Sequence, residues 1–108
     1  MTTYTIKRHD LYPPVQAVLE QAGGVPINLQ RATQVRFLLL DSEGNLKVDA
    51  PVNVVDAPRG VVLYEWQEGD TDTAGTYRAE FEITFDDGRI LTVPNDDYII
   101  IIVMDDLG

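Results

Sequence analysis

The chain has 108 residues, 44% of them apolar, which is the length of one ordinary domain and enough apolar material for a packed core. It has no cysteine, so disulfide scaffolds, thiolate metal sites and cysteine nucleophiles are excluded. Its formal net charge of −10 opposes binding to nucleic-acid phosphates. The acidity serves solubility first, and docking of a basic partner or a divalent cation second.

Strand signals run through the whole chain. Residues 4–8 form a short β-prone run. Val15, Ala17 and Leu19 alternate with Gln16 and Glu20, the mark of a strand with one wet face, and Ala22-Gly23-Gly24-Val25-Pro26 is a turn cluster. Residues 35–40 make the next strand, closed by the turn Asp41-Ser42-Glu43-Gly44-Asn45. Residues 47–55 are polar and irregular, fit for an edge strand because Pro51 has no N–H to donate. After the turn Ala57-Pro58-Arg59-Gly60, Val62, Tyr64 and Trp66 share one face. The clearest alternation follows, with Tyr77, Ala79, Phe81, Ile83 and Phe85 on one side and Arg78, Glu80, Glu82 and Thr84 on the other. Asp86-Asp87-Gly88 predicts a tight hairpin of the primed type, residues 89–93 return, residues 94–97 form a loop or bulge, and residues 99–104 are the last strand.

About seven or eight short strands, with a turn every 8–12 residues or so, predict an all-β fold of antiparallel strands, a two-sheet sandwich or a small barrel, in one domain spanning residues 1–108. The expected core, from shared parity along each strand, is Ala17, Leu19, Val35, Phe37, Leu39, Val62, Tyr64, Trp66, Tyr77, Ala79, Phe81 and Ile83. Residues 1–7 carry no basic stretch followed by an apolar one, so no leader peptide is expected. The longest apolar run, residues 98–104, is far short of the ~20 residues of a membrane helix. Synthesis and folding in the cytoplasm follow as the expectation.

The segment Asp70-Thr71-Asp72-Thr73-Ala74-Gly75-Thr76-Tyr77-Arg78-Ala79-Glu80-Phe81 resembles the tyrosine-corner region of immunoglobulin-like domains. That resemblance implies that the Tyr77 hydroxyl bonds back to the backbone upstream. Ala79 stands where the antibody-type second cysteine would be, so the likeness is not to antibody domains. A second likeness covers nearly the whole chain. Its pieces, in order, are residues 4–10 before Pro13-Pro14, Val25-Pro26-Ile27-Asn28-Leu29 before the 35–40 strand, residues 60–66, residues 75–83, Asp87-Gly88-Arg89, Thr92-Val93-Pro94 and the final isoleucine strand. Together they resemble the immunoglobulin-like N-terminal domain of phage baseplate upper proteins and related small phage tail proteins.

The resemblance implies an immunoglobulin-like β-sandwich and a non-enzymatic virion structural protein, acting as a tail, baseplate or neck subunit through contacts with other virion proteins. A homo-oligomer or symmetric assembly is expected as well, with no cofactor, no nucleic acid and no membrane. Baseplate upper proteins continue past this domain, whereas the sequence ends at Gly108, so a stand-alone virion subunit is expected. The alternatives are a capsid decoration protein, or a module binding carbohydrate or a host surface.

Candidate chemistry is sparse. His9 is the single histidine and has no evident partner for general-base work. Asp41, Asp70, Asp72, Asp86, Asp87, Asp96 and Asp97 all fall in predicted loops. Calcium would need six to eight oxygens or so, and no full calcium-loop pattern is present, so these acids are expected to build turns. Tyr12, Tyr64 and Trp66 could stack on a sugar, but Tyr64 and Trp66 share the face of Val62 and are expected in the core.

The final strand breaks the usual alternation, because both of its faces are apolar. With Ile100, Ile102 and Met104 inward, Ile99, Ile101 and Val103 point out, and the opposite parity is equally compatible with the sequence. Leu38 and Leu40 break alternation in the same way. The expected partner surface is therefore Leu38, Leu40, Ile99, Ile101 and Val103, with Tyr77 as the structural tyrosine.

Overall fold

The computed structural model describes residues 2–94 and 99–105. It is an all-β two-sheet sandwich of nine strands: β1 (Thr2–Lys7), β2 (Val15–Val18), β3 (Ala32–Leu40), β4 (Leu46–Pro51), β5 (Asn53–Asp56), β6 (Val61–Tyr64), β7 (Gly75–Phe85), β8 (Ile90–Val93) and β9 (Ile99–Met104). A single 3-10 turn, Ala57–Arg59, separates β5 from β6. Among the described residues no helix is long and apolar enough to cross a membrane.

One sheet runs β1-β9-β7-β3-β4, with β8 also paired to β7, and the other runs β2-β6-β5. Strand β7 is the spine of the larger sheet. Its first half pairs with β9 (Tyr77 opposite Ile101) and its second half with β8 (Phe81 opposite Val93), both antiparallel and on the same edge. The count exceeds the expected seven or eight because the stretch read as one edge strand, residues 47–55, is two. β4 pairs with β3, and β5 pairs with β6 in the other sheet. The chain changes sheets at Val52, whose N–H bonds the Val35 carbonyl at 3.1 Å. Pro51 just before it sits where a missing N–H breaks no ladder. Strand β1 pairs with β9 in parallel, so the sheet is not purely antiparallel.

The two sheets close on a core whose most buried side chains include Phe37, Phe81, Leu39, Ile83, Ile101, Val15 and Val62. Phe37 is its centre. Its ring stacks on Tyr64 at 4.3 Å, and meets Trp66 edge-on at 5.8 Å and Phe81 at 5.5 Å. The expected core residues lie there, except that Ala17 is only half-buried. Ile6, Val48 and Val93 join them from β1, β4 and β8, and Ile27 and Leu29 from the segment before β3.

The β7–β8 hairpin differs in detail from the expected primed turn. Phe85 and Arg89 close a three-residue loop, with Phe85 N–H on the Arg89 carbonyl and Gly88 N–H on the Phe85 carbonyl, both at 2.9 Å. Of the loop residues only the last, Gly88, takes positive φ (86°), whereas a two-residue type I′ turn would need it at both central residues and type II′ at the first.

Candidate interaction surface

The outer face of the larger sheet combines apolar rows with few charges. Cross-strand register fixes which side chains share it. Leu40 lies opposite Leu46 on β4 and Arg78 on β7, and Arg78 lies opposite Ile100 on β9. Leu38 lies opposite Asp49 and Glu80, and Thr76 opposite Ile102. Leu38, Leu40, Ile100 and Ile102 are half-buried, while Leu46 and Met104 are half-exposed at 55% and 50%. The charged residues on this face are Lys7, Arg36 and Arg78 against Asp49, Glu80 and Glu82, and Arg36 Nε holds Asp49 at 2.5 Å.

This placement corrects the sequence expectation for the last strand. Ile101 and Val103 are 0% and 2% exposed and belong to the core, and Ile99 packs against it half-buried. The reason is register. Ile101 sits opposite Tyr77 and Ile99 opposite Ala79, both inward-facing, so Ile100, Ile102 and Met104 turn out. Leu38 and Leu40 lie on the outer face as expected. The outward β9 residues and Leu46 complete the surface. Tyr98 and the loop acids Asp96 and Asp97 lie outside the described residues.

The loop at residues 65–74 is tied down by its own polar side chains. The Tyr77 hydroxyl donates to the Thr73 carbonyl at 2.6 Å, four residues upstream. The Asp70 carboxylate accepts from the Tyr64 hydroxyl and from Gln67 N–H, the latter at 2.9 Å. Buried Thr71 donates to the Asp10 carbonyl at 2.9 Å, and its own carbonyl accepts from His9 N–H at 3.0 Å. Lys47 Nζ meets Asp72 at 2.5 Å. Burial, aided by Asp70, raises the Tyr64 hydroxyl well above the usual phenol range, and burial also raises Tyr77. The hydrogen bond between Lys47 and Asp72 raises the first and lowers the second.

The loop acids therefore act on the chain itself. Asp41 accepts from Glu43 and Asn45 N–H at 2.9 Å each, Asp87 binds Arg89, and Asp86 binds Arg31. Among the described residues, no group of three or more His, Cys, Asp or Glu side chains is placed to hold a metal ion. Trp66 and Tyr64 are buried, and Trp66 Nε1 donates to the Pro13 carbonyl at 3.1 Å, so neither offers a face to a sugar. Tyr12 is 81% exposed and stands on a loop. A groove of about 210 Å³, lined by Ala50, Pro51, Asn53, Leu63, Tyr64, Glu65 and Gln67, is smaller than the roughly 300–1,000 Å³ typical of ligand pockets.

No family model matches the chain, and no curated protein sequence matches it. Solved structures do. The N-terminal domain of phage TP901-1 ORF48 superposes with a TM-score of 0.62 at 21% identity, covering 96% of this chain and 99% of that one. CopC from Methylosinus trichosporium OB3b superposes with a TM-score of 0.54 at 18% identity, covering 100% of this chain and 89% of that one. At these identities the likeness is one of fold, an all-β sandwich shared from end to end.

Proposed function

We propose that this chain is a non-enzymatic structural subunit of a phage particle, in the tail, baseplate or neck, joined to other virion proteins through the outer face of its larger sheet. The observation that carries the reading is that face: Ile100, Ile102 and Met104 on β9, and Leu38, Leu40 and Leu46 on β3 and β4, form two apolar patches on either side of the central strand β7, which presents Thr76, Arg78 and Glu80. Monomers seldom leave this much apolar surface bare. The likeness to the phage TP901-1 ORF48 domain supports the setting. The order β2-β6-β5 facing β1-β9-β7-β3-β4, with the Tyr77 hydrogen bond, supports the immunoglobulin-like form. The test is quantitative mass spectrometry of gradient-purified particles from cells carrying the gene. A fixed copy number of this chain per particle is expected. Its absence from particles, with abundant chain in the lysate, contradicts the role.

A further inference from the structure

We propose that the occupant of this outer face is a second copy of the same chain, docked about a two-fold axis. The inference rests on the preceding reading of the face as a contact surface and names what covers it.

Three observations support a second copy. The first is charge. The chain carries −10, yet the outer face holds three cations, Lys7, Arg36 and Arg78, against three carboxylates, Asp49, Glu80 and Glu82. Among the described residues this face is balanced in charge, so two equally acidic bodies can meet on it without local repulsion.

The second is size. Five strands spaced at ~4.8 Å, each presenting about six residues at ~3.3 Å, give a face of roughly 500 Å² per copy, or about 1,000 Å² in a pair. That reaches the lower bound of about 1,000 Å² for a specific interface. The outer face of β2-β6-β5 also shows valines, Val18 and Val55 among them, at 49% and 60% exposure. With three strands of four residues each it offers only roughly 200 Å².

The third is self-complementarity. Two adjacent rows cross the middle of the face, Arg78 with Leu40 and Glu80 with Leu38. A two-fold axis lying in the face between these rows, perpendicular to the strands, exchanges them. It sets Leu40 on the second copy's Leu38, and Arg78 on the second copy's Glu80. This is the reciprocal matching that an isologous contact requires. A basic partner protein would instead need an acidic face, and this one is neutral.

The experiment is sedimentation equilibrium on the purified full chain. A dimer is expected, and it should tighten as salt rises from roughly 0.01 M to roughly 1 M, because screening, from about 30 Å down to about 3 Å, removes repulsion between the acidic bodies. Leu40→Asp should give a monomer that melts as a folded protein, while Val55→Asp on the opposite sheet leaves the dimer intact. Because Leu40 is half-buried, a second variant avoids the core. Glu80→Arg should weaken the dimer, and adding Arg78→Glu to it should restore the dimer, since the swapped pair again matches about the axis. A wild-type chain that stays monomeric, a dimer indifferent to Leu40→Asp, or a double swap that restores nothing overturns the proposal. A monomer that still enters particles at fixed copy number overturns the second copy and leaves the structural role standing. A dimer absent from particles does the reverse.

Discussion

Gly60 is where three backbone segments converge, and replacing it with Ala tests the packing of the smaller sheet. Its N–H bonds the Ala57 carbonyl at 3.2 Å, and its carbonyl accepts from Leu19 N–H at 2.8 Å. Leu19 in turn accepts from Ile27 N–H at 2.8 Å. A Cβ at position 60 would stand 2.6 Å from the Ile27 carbonyl oxygen and 2.8 Å from that of Leu19. Both are main-chain atoms, and the Leu19 oxygen is held by Ile27 N–H, so it cannot retreat without loosening that bond. The φ of +68° adds a left-handed cost of about 1–2 kcal/mol for any residue with a Cβ. Displacing the Leu19 and Ile27 segments forfeits one or two hydrogen bonds at about 1 kcal/mol each. The total for Gly60→Ala is about 3 kcal/mol.

Gly44 supplies the control. Its φ is +83°, but nothing lies within 4 Å of its Cβ position, so Gly44→Ala should cost only the left-handed term of about 1–2 kcal/mol. Urea unfolding followed by the fluorescence of the single tryptophan, Trp66, buried in the core, reads both variants. A Gly60→Ala midpoint no lower than that of Gly44→Ala would refute the crowding argument.

Phe81→Ala removes a side chain with 0% exposure at the heart of the core and should cost about 3–5 kcal/mol by the same assay. Tyr77→Phe should cost about 1 kcal/mol, rising to about 3 if the Thr73 carbonyl is left without a partner; an unchanged midpoint would deny the corner its structural role. Stability should be flat at neutral pH and fall on both sides. Asp41, Asp72 and Asp87 titrate below their ordinary 3.8 in the fold, so what they contribute is present above that value and lost as pH falls through the depressed ones. Tyr64 and Tyr77 are raised above 10.0 and Lys47 above 10.5, so their contribution is complete below those values and lost as pH rises through the raised ones. Tyr64→Phe should flatten the alkaline decline, and a decline identical to that of the wild type contradicts the assignment.

Much of this fold is legible because one face of most strands is wet. Arg78, Glu80 and Glu82 alternating with Tyr77, Ala79, Phe81 and Ile83 fix the parity of β7, and Tyr64 with Trp66 fixes the approach of β6 to the core. Strand β9 carries no such mark. With isoleucine or valine at five successive positions, its parity is set only by where it meets β7, and the interruption after β8 hides that register from the sequence. The change of sheet at Val52 and the parallel pairing of β1 are equally silent, since both depend on partners far away in the chain. Leu46 was hidden by a register shift. β4 slips against β3 between Leu39 and Leu40, which brings Leu46 onto the outer face opposite Leu40. Gly60 looked like an ordinary turn glycine, because the carbonyls crowding it come from residues 19 and 27.

The measurement that bears most directly on the account is a cryo-EM map of the particle that carries this chain, at a resolution showing side chains. The account predicts that Leu38, Leu40, Ile100 and Ile102 are covered by another protein chain, with Ile101 and Val103 inside the sandwich. A map in which that face is bare to solvent, and the chain is held by its loops or by the β2-β6-β5 sheet, would contradict it.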